Sequence, residues 1–391
     1  MKFEKLGSIA RIQIGKTPPR GVSKYWGKGN SWVSISDLKS TTINSTKEEI
    51  TDLAISECGC KVIPKGTLMM SFKLSIGKVA FAGKDLFTNE AICGIILKDK
   101  SKVSGEYLYY ALKNTKLVGS NVAVKGATLN TSSLNALQIP IVEGIENQLH
   151  IANLLSKAEN LIAQRKESIR LLDEFLKSTF LEMFGNTRHF TKSDIVKTIG
   201  EICNTRGGGT PSKAKPEYYT GKIPWVSPKD MKWLYITTSQ DKITQQAIDE
   251  SSTALIPKGS LLMVIRSGIL KSKLPLAINN VDVSINQDMK AFTSKEVTTE
   301  YLLYFFFSEE RNILKKVKGT TADNLNFDDI KKMKIKIPSL EHQIQFAKIV
   351  EKTEALKTKY QQSLQELENL YGSLSQKAFR GELSINKAVS V

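Results

Sequence analysis

Apolar residues follow two different periods along this chain. Between Glu146 and Phe184, Ile151, Leu155, Ala158, Ile162, Ile169, Leu172, Leu176 and Met183 alternate at spacings of three and four, interrupted at Arg165 and Thr179. No Gly or Pro falls in that stretch before Gly185, so the pattern predicts one helix with a heptad seam, roughly 58 Å long at 1.5 Å per residue. A second seam runs through Phe346, Ile349, Thr353, Leu356, Tyr360, Leu364, Leu367, Tyr371, Leu374 and Ala378, with charged residues such as Glu351, Lys352, Glu354, Lys357, Lys359 and Glu366 between. Each stripe needs a partner, and the two partner each other in an expected antiparallel intramolecular coiled coil. Elsewhere short β-rich runs prevail. Leu68-Met69-Met70-Ser71-Phe72 and Ile92 to Leu97 are punctuated by Pro-Lys-Gly and Ala-Gly-Lys turns, as in a domain of strands and loops. Helical spacing over 105–112, and again over 300–306, predicts short packed helices whose aromatics belong to the core.

The plan is written twice. Thr17-Pro18 returns as Thr210-Pro211, Trp32-Val33-Ser34-x-x-Asp37 as Trp225-Val226-Ser227-x-x-Asp230, and Ile63-Pro64-Lys65-Gly66 as Ile256-Pro257-Lys258-Gly259, all at an offset of 193. Lys125-Gly126-x-Thr128 and Lys318-Gly319-x-Thr321 extend the echo. A unit this long is a duplicated domain, since solenoid repeats run only roughly 20–50 residues. The expected organisation is domain one over 1–145, a long helix over 146–185, domain two over 186–340, a second long helix over 341–380, and a tail over 381–391. In fold class this is α+β: two similar globular domains separated by two long helices and related by a pseudo-two-fold.

Composition sharpens the picture. Lysine and arginine number 56 against 39 acids, a formal net charge of +17. Residues 1–150 alone hold 20 basic and 12 acidic side chains, so the excess is not one basic tail. Two basic bodies point to a polyanion, DNA or RNA. No apolar run reaches the roughly 18–20 residues of a membrane span, and Met1-Lys-Phe-Glu-Lys lacks a signal-peptide core, so a cytoplasmic location is expected. Cys58, Cys60, Cys93 and Cys203 read as reduced thiols, and Cys58-x-Cys60 is too closely spaced for a zinc knuckle.

Signatures of catalysis are missing. Gly15-Lys16-Thr17 ends like a phosphate-binding loop but has Ala10 where that loop needs its first Gly. Gly207-Gly208-Gly209 lacks dinucleotide-site spacing, and His150, His189 and His342 are too scattered for a His-based nucleophile or metal cluster. No Asn-Pro-Pro-Tyr or Asp-Pro-Pro-Tyr occurs, as a base amino-methyltransferase would need. The expectation is a non-enzyme with no cofactor and no metal. Candidate DNA contacts gather at the two Gly-x-Thr-Pro turns and in the basic loops after each Pro-Lys-Gly strand. They are Lys16, Thr17, Arg20, Lys24, Lys73 and Lys78 in the first half. In the second they are Arg206, Thr210, Lys213, Lys215, Arg266, Lys271 and Lys273. Exposed N–H groups, a Thr hydroxyl and cations suit phosphate, whereas Arg can pair two atoms of a guanine edge. Asp37 and Asp230 read as loop anchors, and Trp32-Val33 and Trp225-Val226 as core.

Read together, the residues resemble the specificity subunit of Type I restriction–modification systems over essentially the whole chain. The likeness rests on Trp225-Val226-Ser227-Pro228-Lys229-Asp230-Met231, on Ser284-Ile285-Asn286-Gln287-Asp288-Met289-Lys290, on Ile337-Pro338 followed by Glu341-His342-Gln343, and on Gln376-Lys377-Ala378-Phe379-Arg380-Gly381-Glu382-Leu383. Thr88-Asn89-Glu90-Ala91-Ile92 stands in the first half where the Asn-Gln-Asp run stands in the second. The resemblance implies two target-recognition domains, each reading half of an interrupted double-stranded DNA sequence. It also implies helices that set the gap and dock two methyltransferase subunits, with motor-nuclease subunits completing a restriction complex. Lys16 in place of a Gly, and Ser34-Ile35-Ser36-Asp37 without Pro, mark the departures and suggest unlike half-sites. The alternative is a stand-alone nucleic-acid-binding or structural protein without modification partners.

Overall fold

The computed structural model describes residues 1–115, 129–317 and 323–383. The Lys125 and Lys318 motifs and most of the 381–391 tail lie outside the described residues. The chain forms two compact units, Met1–Arg165 with Ser363–Val391, and Lys166–Gln362, so each long helix contributes one half to each unit.

In the first unit a five-stranded sheet runs in the order Ala10–Ile14, Ile92–Leu97, Leu68–Ser71, Val79–Ala82, Thr42–Ile43. Leu68–Ser71 sits in its middle and is buried at all four positions, which explains an apolar run without alternation. A smaller sheet orders Glu48–Ile50, Trp26–Val33 and Phe87–Thr88, and Lys2–Lys5 pairs antiparallel with Gln138–Ile141. Gly66 turns the chain into Leu68–Ser71 with φ +79, a conformation that costs glycine nothing. The second unit repeats this. Its five strands are Cys203–Gly207, Met289–Ser294, Leu261–Val264, Leu276–Asn279 and Tyr235–Ile236, and Gly259 takes φ +82 at the matching turn. In both, an Asp caps that turn: the Lys65 N–H donates to Asp85 and the Lys258 N–H to Asp282, each at 2.8 Å.

A helix covers each five-stranded sheet. Gly105–Asn114 starts where the Ser104 hydroxyl accepts the Tyr107 N–H, and Thr299–Leu314 where Thr298 accepts that of Tyr301. The residues from Tyr107 to Leu112 and from Tyr301 to Phe306 are all buried, so these aromatics are core as the spacing predicts. The long helices span Ile145–Phe184 and Leu340–Phe379. In the first unit the start of one meets the end of the other: the Tyr371 hydroxyl donates to Glu159 at 3.0 Å, and Ala378 joins Ile151 and Leu155 in the core. In the second, Lys357 pairs with Asp173, and Phe180 packs on Phe346 with ring centroids 5.5 Å apart. As residue numbers rise along one helix they fall along the other, so the pair is antiparallel.

The seam differs from the heptad reading in detail. Ile151, Leu155, Ala158 and Leu176 are buried, while Ile162, Ile169 and Leu172 are only half-buried. Phe180 and Val350, off the expected seam, are fully enclosed, whereas Leu356, on it, is exposed. The reason is geometric. Toward its ends each helix is covered by a domain as well as by its partner, and the domain recruits a second stripe. Two buried glutamines fasten this docking. Gln148 accepts the Ser104 N–H at 2.9 Å and donates to the Val142 carbonyl, and Gln343 accepts the Thr298 N–H at 2.8 Å and donates to the Pro338 carbonyl. Among the described residues no helix is long and apolar enough to cross a membrane.

Candidate nucleic-acid interface

Each unit builds the same surface from three segments. The Gly-x-Thr-Pro turn lies against the Asn-containing turn (Asn89-Glu90 or Asn286-Gln287): the Lys16 N–H donates to the Thr88 carbonyl at 2.8 Å, and the Gly209 N–H to that of Ile285 at 3.0 Å. Only glycine allows the approach. A Cβ on Gly15 would stand 2.2 Å from the Thr88 carbonyl oxygen, and one on Gly208 2.0 Å from that of Asn286. Beneath the turn, the Trp32 indole donates to the Lys16 carbonyl at 3.1 Å and the Trp225 indole to the Gly209 carbonyl at 3.0 Å. Both tryptophans are buried as expected, and each also fixes the turn above it. A second aromatic braces the prolines: the Trp26 indole donates to Pro19 at 3.2 Å, and the Tyr219 hydroxyl to Pro211 at 2.7 Å.

The aspartates are loop anchors. Asp37 accepts the Ser34 N–H at 2.8 Å and the Lys47 N–H at 3.3 Å; Asp230 accepts those of Ser227 and Gln240 at 2.9 Å each. Asp230→Asn exchanges an acceptor-only group for one with two donors facing N–H groups, a loss of about 1–3 kcal/mol of stability. Urea unfolding checks this as a lowered midpoint with unchanged slope.

The structure brings some of the candidate contacts together. Thr210, Lys213 and Arg266 line one cleft of about 870 Å³ in the second unit, with Tyr219, Trp225 and Gln287. In the first unit Arg20, the counterpart of Lys213, lies over Trp26 and Trp32, 4.0 and 4.9 Å from their ring centroids, and pairs with Glu48. The hydrogen bond to Glu48 holds its guanidinium more firmly protonated than usual. Lys73 sits half-buried beside the Phe72 ring, where its counterpart Arg266 approaches Asp288 at 3.9 Å.

Other candidates are engaged by acids. Lys24 pairs with Glu57 at 3.1 Å, Lys215 with Glu250 at 2.9 Å, and Lys271 with Asp323 at 3.4 Å. Tyr218 and Lys215 together draw the Glu250 carboxyl down to about 2, and the Tyr25 phenol is pushed up to about 12 by its bond to Glu57. The Lys24–Glu57 and Lys215–Glu250 pairs are exposed and worth little to stability, whereas Asp323 is buried. Lys16, Lys78, Arg206, Lys213 and Lys273 are exposed and form no ion pair among the described residues.

The sequence reading passed over the residues that meet the two threonines of these turns. Thr17 donates to the Glu90 carboxylate, and Thr210 to the Gln287 side-chain oxygen, joining two turns more than 70 positions apart. Neither Glu90 nor Gln287 is basic, so a search for cations skipped them, although both stand inside the repeated Asn motif.

Two copies of one α+β framework, each carrying a basic glycine–threonine–tryptophan surface and half of a helix pair, define a tandem recognition-type architecture. The chain belongs to the family of the Type I restriction modification DNA specificity domain, whose model matches residues 1–171 and 194–369. It is 34% identical over 250 residues to the EcoR124I/EcoR124II specificity subunit of Escherichia coli, a match spanning 57% of this chain and 62% of that protein. It is 27% identical to the MjaIX specificity subunit of Methanocaldococcus jannaschii, over 98% of this chain and 94% of that one. In fold it is similar to the crystal structure of a Type I restriction–modification S subunit from M. genitalium, with TM-score 0.58, 16% identity, and 97% and 96% of the two chains covered.

Proposed function

We propose that this chain is the sequence-specific DNA-binding subunit of a Type I restriction–modification complex and carries out no chemistry itself. Each domain reads one half of a bipartite duplex target. The two long helices set the unread gap and dock two methyltransferase subunits, and motor-nuclease subunits join them when restriction takes place. The setting is the cytoplasm. One observation carries the reading: the two units share a backbone framework but differ at the side chains lining it. Arg20 corresponds to Lys213, Lys73 to Arg266, and Glu90 to Gln287 in the repeat. Such an arrangement suits one grip applied to two unlike half-sites. Lys16, Thr17, Arg20, Lys24, Lys73 and Lys78, with Arg206, Thr210, Lys213, Lys215, Arg266, Lys271 and Lys273, form the proposed contact set.

The purified chain, tested with duplex DNA and S-adenosylmethionine, should bind but transfer no methyl group until a modification subunit is added. Methyl transfer by the chain alone would refute the proposal. Binding should weaken with salt by about 0.9 log units per log unit for each phosphate neutralised. Lys213→Ala should weaken binding about equally on all sequences and lower that slope by about 1, as a phosphate contact requires. A titration at several salt concentrations checks both.

A further inference from the structure

Glu90 and Gln287 occupy the same place in the two units and present opposite hydrogen-bonding character. The backbone around each is held alike. The Asn89 N–H donates to Val33 at 3.1 Å and the Asn286 N–H to Val226 at 2.9 Å, while the glycine turn presses on the same segment from the other side. Each side chain is exposed, and each accepts one hydrogen bond from the threonine of that turn. That bond decides what remains. Glu90 gives one carboxylate oxygen to Thr17 and keeps the other, so it offers an acceptor and nothing else. Gln287 commits one lone pair of its only side-chain oxygen to Thr210 and offers the two N–H groups of its amide, donors that Glu90 lacks. A free carboxylate is repelled by phosphate, so the backbone of DNA is not its partner. Base edges do carry the complement. In the major groove only cytosine and adenine present an amino donor, whereas guanine N7 and O6, thymine O4 and adenine N7 are acceptors, so cytosine alone offers none.

We propose that Glu90 and Gln287 are equivalent base-reading positions: Glu90 selects an amino-bearing base in one half-site, and Gln287 selects an acceptor-bearing base in the other. This rests on the DNA-recognition reading above, and it assigns specificity to two side chains outside the cationic contact set. Thr17 and Thr210 are positioning residues, since each fixes which face of its neighbour is left to the DNA.

The test is selection of bound sequences from a randomised duplex pool by the full-length chain and its Glu90→Gln and Gln287→Glu variants. Both changes keep size and remain on exposed positions. The expected result for Glu90→Gln is a changed preference, about tenfold, at one base position of one half-site, with the other half-site untouched. Gln287→Glu should alter one position of the opposite half-site in the reverse sense. If the wild type selects a bipartite sequence and neither variant changes the chosen base, these positions do not read DNA although the subunit does. An equal loss of affinity with no change of base assigns them a structural role only, and overturns the proposal. If the wild type selects no sequence at all, the DNA-recognition reading fails and takes this one with it.

Discussion

Phe180→Ala should be the most destabilising single substitution in the second unit, at about 3–5 kcal/mol. Phe180 is 1% exposed and stands where three elements meet. Its ring lies 5.2 Å from Phe184 on its own helix, 5.5 Å from Tyr301 on the domain helix, and 5.5 Å from Phe346 on the other long helix. Truncation removes one ring from all of these contacts, and Tyr304, at 6.2 Å, closes the cluster without the freedom to fill the gap. Phe175, on the same helix but 50% exposed, is the control: its change to alanine should cost within about 0.5 kcal/mol. Urea unfolding followed by circular dichroism separates the two. A loss below about 1 kcal/mol for Phe180→Ala would mean that the aromatic cluster does not fasten the helices to their domain.

Removing seven residues from the middle of each long helix should shorten the gap between the recognised half-sites by about three base pairs. Seven residues are about 10 Å of helix, and a base pair occupies 3.4 Å. Deleting a whole heptad preserves the seam, so Lys357 still meets Asp173, and Tyr371 still meets Glu159, each within its own unit. Because both domains keep their surfaces, the half-sites themselves should not change. Mapping the methylated or selected sequence of the shortened chain checks this. An unchanged gap would mean that the helices do not measure the spacing.

Much of the fold could be read from the residues because the repeat shows each element twice. The long helices follow from heptads uninterrupted by glycine or proline, and the tight turns from Pro-Lys-Gly. What stayed hidden depends on tertiary company. Burial of Phe180 and Val350, with exposure of Leu356, is set by which side of the helix a domain covers, and the heptad holds no record of that. At the candidate interface the glycines, threonines, tryptophans and aspartates stood out as repeated letters. The pairing of Thr17 with Glu90 and of Thr210 with Gln287 did not, because it links distant segments that meet only in the folded domain. Charge alone was a coarse guide: Lys24, Lys215 and Lys271 counted as candidate contacts, yet each faces a carboxylate.

The most direct measurement is the map of methylated bases in a host that makes this chain with its modification subunits, compared with the same host lacking the gene. The account requires one asymmetric motif, two short specific blocks around a gap of fixed length, to be methylated when the chain is present and unmethylated when it is gone. A methylation pattern that does not change on deletion, or a lost motif made of one uninterrupted block, would contradict it.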